Sequence, residues 1–541
     1  MTLRENIKWI SRLSRGYRGE IALNIVLGTL TVGFSLLFIF LCKALIDSAM
    51  NGIEGSILTP ALLIGGVLIL QQLCNFFRGR VESASSTKIM NALREKLFYR
   101  VMLSRWSGRE RFHTGDVTTR LEGDVRKVCE SLCESFPRMA ITAVEFLFSF
   151  LFMLTMDSRL AWLLFAIMPI ALLVSKRYML RMRTLTHSIR EMDSSVQAHI
   201  QEQVQHRTVI NSMGSTSGSF ASLRALSGEL FTKTMRRTNY KLYSQAVVRL
   251  GFAAGYLTAF LWGVEGISSG AISFGVMTAF LQLVAKVQTP IVEMSYYIST
   301  IAQTTTSIDR LGELDDLEIE EQGEPKILLG GVGVRFHGVT FGYGEREILS
   351  DFGCNFGAKS LHVVVGETGS GKSTMLRLML GFLTPQTGSV ELYNSDESIG
   401  CSPLTRANFV YVPQGNTLIS GTIRDNILLG DPSATDSEIE SVLHTAVADF
   451  VFSLPDGLDS VCGERGAGLS EGEAQRIAIA RGLLRKGGVI LLDEPTSALD
   501  SATERLLLER LTEYAKNRTM IMVTHRERTS EICSSVVKLT R

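Results

Sequence analysis

The sequence predicts an all-α membrane domain of six transmembrane helices with long cytoplasmic extensions, joined to an α/β phosphate-loop domain. Three observations carry that prediction. Apolar runs long enough to cross a hydrocarbon core lie almost entirely before residue 300. Beyond about residue 332, short β-branched runs alternate with helical segments, as in a parallel α/β sheet. Within that second half, a glycine-rich loop ending in lysine separates an apolar strand from a helix.

Composition agrees. Of 541 residues, 45% are hydrophobic and only 20% charged, and the mean hydropathy is +0.18. The apolar fraction excludes a disordered chain. The formal net charge of +1 speaks against nucleic-acid binding by phosphate neutralisation, which needs a basic surplus. The eight cysteines form no C-x-x-C, so neither a zinc knuckle nor a secreted disulfide framework is indicated. The first residues are basic but lack the unbroken apolar stretch of a signal peptide, so the N-terminus is expected to be retained.

Six runs match the ~20 apolar residues that a span requires. They cover about 21–42, 58–77, 140–156, 160–179, 246–264 and 271–291. Gln71, Gln72 and Asn75 blur the end of the second, and Pro290 that of the sixth. Connections after spans one, three and five are short and poor in positive charge; those after spans two and four are long and rich in Lys and Arg. That asymmetry places both termini in the cytoplasm. In KIMNALREKLFYRVML, apolar residues recur at three- and four-residue intervals, so spans two to five are expected to continue as helices beyond the membrane. The acidic stretch DRLGELDDLEIEEQGEP reads as a solvated linker. The resulting division is a membrane domain over 1–305, a linker over 306–331 and a soluble domain over 332–541.

The chemistry lies in the soluble domain. In LHVVVGETGSGKSTMLRLML, Gly366-x4-Gly371-Lys372-Ser373 fits a phosphate loop. Gly366, Gly369 and Gly371 let successive backbone N–H groups turn towards phosphate oxygens, and the following helix adds its positive end. Lys372 supplies a point charge to the phosphates and Ser373 a hydroxyl for magnesium. VILLDEPTSALD is an apolar strand ending in Asp493 and Glu494, where α/β sheets present their ligands. Asp493 suits magnesium, and Glu494 suits a general base acting on water. A second strand, TMIMVTHR, ends in His525, a candidate γ-phosphate contact.

LSEGEAQRIAIARGLLRK, lying between those strands, resembles the signature sequence of ABC ATPases, usually LSGGQ followed by a basic helix. Gln414 in FVYVPQGN resembles that family's Q-loop, Tyr343 in VTFGYG its adenine-stacking aromatic, and Ser497 to Asp500 its D-loop. GERG at Gly463 to Gly466 and ISGTIRDNILLG resemble segments of ABC exporters. Six spans ahead of one such ATPase resemble an exporter half-transporter of the type IV fold.

The resemblance implies ATP and Mg2+ as cofactors. It assigns nucleotide contacts to Tyr343, Gly366, Glu367, Thr368, Gly369, Ser370, Gly371, Lys372, Ser373, Thr374, Gln414, Ser470, Gly472 and Asp493. Magnesium falls to Ser373, Gln414 and Asp493, and catalysis to Glu494 and His525. It also implies a dimer in which ATP lies between one chain's phosphate loop and the other's signature. The expected partner is a second copy of this chain, with a different half-transporter as the alternative. The expected setting is a lipid bilayer, the plasma (inner) membrane of a bacterium. The cargo is an unidentified peptide, lipid or hydrophobic small molecule, and nucleic acid is not a partner. An ATP-gated channel or channel regulator on the same scaffold is the alternative activity. His113 to Val125 resembles a loop that docks on the ATPase, and the neighbourhood of Val209 to Gly214 is the candidate for a second.

The chain also departs from the pattern. Glu471 and Glu473 replace the commoner Gly and Gln of the signature. They read either as tolerated side chains turned to solvent or as the mark of a slower or asymmetric site. The chain stops sixteen residues after His525, where family members usually continue through another strand, a turn and a terminal helix. Glu145 falls in the middle of a span, with Lys286 its most attractive partner. Cys129 and Cys133, four apart, read as buried small residues and not as half a metal site.

Overall fold

The computed structural model describes residues 3–50, 58–105, 112, 114–344, 346–367, 369–463, 468–525 and 534–539. They form two compact units, one made of 1–99 with 115–316 and the other of 100–114 with 317–541.

The first unit is helical. A short amphipathic helix, α1 (Leu3–Leu13), buries Trp9 and exposes Lys8 and Arg12. Long helices α2 (Arg18–Met50) and α3 (Leu58–Met102) follow. Next come α4 (Thr114–Thr119), a π-helical turn at Arg120–Asp124, α5 (Val125–Glu130), a second π-helical turn at Ser131–Ser135, and α6 (Phe136–Leu154). The unit closes with α7 (Ser158–Gln205), the short α8 (Arg207–Ser212), α9 (Thr216–Ser268) and α10 (Phe274–Asp315). Among the described residues, five helical runs are long and apolar enough to cross a membrane: α2, α3, the run 114–154, α9 and α10. The fourth expected span lies in α7, where the side chains of 163–177 are outside the described residues.

Large side chains such as Leu23, Val26, Leu62, Phe76 and Leu257 stand exposed on these helices. On a water-soluble bundle such a surface would be an aggregation hazard; in a bilayer it meets lipid. Close packing uses small residues: a Cβ on Gly28 would lie 2.1 Å from Cδ1 of Ile141, so a larger residue there would have to displace that side chain from between α2 and α6. Helices α3, α7 and α9 run on well past their apolar stretches, as their periodicity predicts.

The acidic stretch is not a solvated linker. Helix α10 continues through Asp309 to Asp315, because Ile308, Leu311 and Leu314 extend its apolar stripe and are almost fully buried. Its acids are paired: Asp315 with Lys96 at 2.7 Å and Glu313 with Arg120 at 2.7 Å. Residues 317–331 strap onto the second unit instead of floating free of it. Glu320 forms a two-pronged pair with Arg406, Leu328 is buried, and Asn408 bonds the backbone of both Lys326 and Leu328. The strap also pairs with the chain leaving α3, where Glu320 N–H donates to Leu103 O at 2.9 Å.

In the second unit, β1 (Gly333–Tyr343), β2 (Arg346–Phe356), β4 (Thr387–Tyr393) and β5 (Ser398–Gly400) form an antiparallel sheet in the order β2-β1-β4-β5. A parallel sheet carries the chemistry. It contains β3 (Leu361–Gly366), β6 (Phe409–Val412), β9 (Val489–Asp493), β10 (Thr519–Val523) and β11 (Ser535–Leu539), in the order β11-β3-β10-β9-β6. Every residue of β9 and β10 is buried, which is why both read as unbroken apolar runs. The residues after His525 thus still supply one more strand, β11, on β3. Helices α11 (Lys372–Met379), α12 (Ile423–Leu428), α13 (Asp436–Thr445), α14 (Glu471–Leu484) and α15 (Ser501–Tyr514) complete the unit, with a two-strand ribbon of β7 (Gly421–Thr422) and β8 (Val461–Cys462).

Candidate nucleotide site

The loop between β3 and α11 stands at the C-terminal end of the parallel sheet. Gly369 and Gly371 take φ values of +85° and +99°, conformations that a side chain would strain. A Cβ on Gly366 would lie 2.6 Å from Ser370 Oγ. The loop therefore curls tightly over a cradle. Lys372 is almost wholly buried, and its Nζ donates to the carbonyls of Gly366 at 2.7 Å and Glu367 at 2.8 Å. Burial pushes its pKa below the usual lysine value, while Glu494 and Asp493 pull it back up. The Ser370 hydroxyl is buried and has no hydrogen-bond partner among the described residues. A buried unmet hydroxyl is costly in isolation, so a polar ligand in this cradle would relieve it. Thr368 lies outside the described residues.

Two strand ends bring the acids to the loop. Asp493 closes β9, and Ser373 Oγ donates to its Oδ2 at 3.3 Å. Burial raises the carboxyl of Asp493 above the ordinary range, against the pull of Ser373, Arg377 and Lys372. Such a desolvated carboxylate gains most from a nearby cation. The next residue, Glu494, has a φ of +50°, rare for a non-glycine residue. Its N–H donates to Val523 O at 2.9 Å, tying it to β10. Gln414 Nε2 donates to its Oε2 at 2.7 Å, and His525 Nε2 lies 2.5 Å from its Oε1. Tyr343 joins from β1, its hydroxyl 3.4 Å from that of Thr374. Residues spread over some 180 positions thus converge on one end of the sheet.

One supporting residue escapes the sequence reading. Gln475 in α14 is 2% exposed; its Nε2 donates to Glu494 O at 2.8 Å, and its Oε1 accepts from Ala498 N at 3.4 Å. The signal was a polar side chain on the otherwise apolar inner face of AQRIAIA.

The signature forms the start of α14. Ser470 is its N-cap, closing a capping box with Glu473. A Cβ on Gly472 would lie 2.8 Å from Ala498 O, so glycine admits the Ser497 to Asp500 turn. Asp500 caps α15 by accepting from the N–H groups of Ala502 and Thr503. Among the described residues, the hydrogen bonds of Ser470 run to Glu473 and Ala474 and not to the phosphate loop. Residues 464–466 of GERG, and His113, lie outside the described residues.

Family models give the decisive comparison. The model of the ABC transporter transmembrane region matches residues 21–291, and the ABC transporter model matches residues 349–497. The chain belongs to the ABC transporter family. A putative multidrug export ATP-binding/permease protein, YgaD of Bacillus subtilis, is 27% identical over 523 residues, 94% of this chain and 90% of the relative. An ATP-dependent lipid A-core flippase of Desulfotalea psychrophila is 28% identical over 456 residues, 83% of this chain and 79% of the relative. Among solved structures, a bacterial Atm1-family ABC exporter with ATP bound matches with a TM-score of 0.80 and 26% identity, covering 97% of this chain and 93% of that one. This ABC transporter chain is the ATP-binding and permease subunit of an exporter: an ATP-hydrolysing integral membrane protein with a transmembrane region and an ATPase domain fused in one polypeptide.

Proposed function

We propose that two copies of this chain form a homodimeric exporter that moves an amphipathic or hydrophobic cargo out of the cytoplasm at the expense of ATP. The observation that carries this reading is the convergence of Gln414 and His525 on the two carboxylate oxygens of Glu494, beside the Ser373–Asp493 pair. A magnesium ion held by Ser373, Gln414 and Asp493 would supply positive charge to the β- and γ-phosphates. Lys372 adds its own charge there, and the loop N–H groups from Gly366 to Thr374 orient the phosphates. Tyr343 offers an aromatic face to the base. Glu494 accepts a proton from the attacking water, and His525 holds that carboxylate in place.

The same reading gives Ser470 and Gly472 to the partner's nucleotide. ATP then closes the two ATPase domains on each other, and hydrolysis releases them. Both termini are cytoplasmic on the charge asymmetry of the connections, and the membrane is a bacterial plasma membrane. The names of the relatives, multidrug exporters and a lipid A-core flippase, support a greasy or amphipathic cargo. Inside-out vesicles test this: a fluorescent lipid analogue or lipophilic dye should accumulate only with MgATP. ATP-gated ionic current without such accumulation would favour the channel reading instead.

A further inference from the structure

Glu473 stands where the signature usually has glutamine, and its carboxylate folds back onto Ser470. One oxygen, Oε2, accepts both the backbone N–H and the hydroxyl proton of Ser470, each at 2.8 Å. In return Glu473 N–H donates to Ser470 Oγ at 3.3 Å. Ser470 is exposed at the head of α14, and Glu473 is half-buried behind it. The two bonds from Ser470 hold the Glu473 carboxyl below the usual glutamate range, so it is ionised at neutral pH. Arg476 offsets part of this charge, but its guanidinium lies over the Phe450 ring, 4.8 Å from the centroid.

A serine hydroxyl has one proton to give. Here that proton goes to a charged acceptor, a bond roughly twice as strong as a neutral one. We infer that Glu473 weakens ATP-driven closure of the dimer, because it claims the Ser470 proton and sets a negative charge against the partner's γ-phosphate. The inference rests on the dimeric reading above, in which Ser470 faces that phosphate. The capping box gives Glu473 a structural role as well, but glutamine fills the same box without the charge. The carboxylate therefore tunes the ATPase cycle at no necessity to the helix. Glu471, exposed in the same turn, makes no such claim on Ser470.

The experiment uses the full chain in lipid nanodiscs with Glu494→Gln, so that closed dimers accumulate. Nucleotide retained after rapid gel filtration is measured against MgATP concentration, with and without Glu473→Gln. The half-saturating ATP concentration is expected to fall about tenfold on removing one like charge near the phosphate. Glu473→Ala should shift it in the same direction, which covers the case that the glutamine variant folds poorly. An unchanged or higher half-saturating concentration, with retention still sensitive to Ser470→Ala, overturns the role of Glu473 and leaves the dimer intact. No retained nucleotide in any variant overturns the dimeric reading and the inference with it.

Discussion

Nε2 of His525 lies 2.5 Å from one carboxylate oxygen of Glu494, and Gln414 donates to the other at 2.7 Å. The carboxylate is thus fixed from two sides at the end of a fully buried strand. In the proposed mechanism, a base held in this way acts on water without first having to be oriented. Glu494→Gln keeps the shape and both neighbours but loses the proton acceptor. Turnover should fall by ~10²–10⁴ while MgATP binding survives. Steady-state ATPase and nucleotide-binding assays on one preparation check both halves.

Gln475 holds Glu494, the proposed base, by its backbone carbonyl. Gln475→Leu removes the shorter of two donors to Glu494 O, leaving that carbonyl the Ser497 N–H at 3.3 Å, which costs about 0.5–1.5 kcal/mol in the ATPase domain. The misplaced carboxylate should lower kcat about tenfold or more with little change in KM. A variant that melts earlier but keeps its kcat would give Gln475 a purely structural role.

Asp493 should make the nucleotide-free protein pH-sensitive. Burial raises its folded pKa above the unfolded value, so the folded chain holds the proton more tightly. Its contribution to stability is therefore best below the ordinary aspartate pKa. It declines as pH climbs towards the raised value and stays unfavourable at neutral pH. Asp493→Asn should raise the nucleotide-free Tm by a few degrees at pH 7 and abolish the further rise that magnesium adds with ATP. Differential scanning fluorimetry with and without Mg2+ reads both effects.

In the membrane unit, Lys286 in α10 pairs with Glu145 in α6 at 2.7 Å. A lone carboxylate at span depth costs at least about 2–3 kcal/mol. Lys286→Met alone should therefore lower Tm in detergent, and adding Glu145→Gln should recover most of the loss. Additive losses in the double variant would show that the two side chains are not coupled.

What could be read from the sequence was chemistry whose demands are local. The phosphate loop needs its glycines and Lys372 within a few positions, and Asp493 with Glu494 sit side by side at the end of one apolar run. What could not be read depends on partners far away in the chain. The acidic stretch from Asp309 to Pro325 has a linker's composition. Yet Asp315 meets Lys96, Glu313 meets Arg120 and Glu320 meets Arg406, and no local pattern announces those pairs. Gln475 was missed for the same reason, since its acceptor comes nineteen residues later, just past the end of β9. Glu145 shows the opposite case. A charge inside an apolar span calls for a countercharge at similar depth, and Lys286 was the attractive choice in a neighbouring run.

ATPase turnover of this chain purified alone in lipid nanodiscs decides whether two copies make a working homodimer. MgATP hydrolysis that disappears with Glu494→Gln is the expected result. A folded, ATP-binding but inactive preparation, whose activity returns only with a different half-transporter, would contradict it.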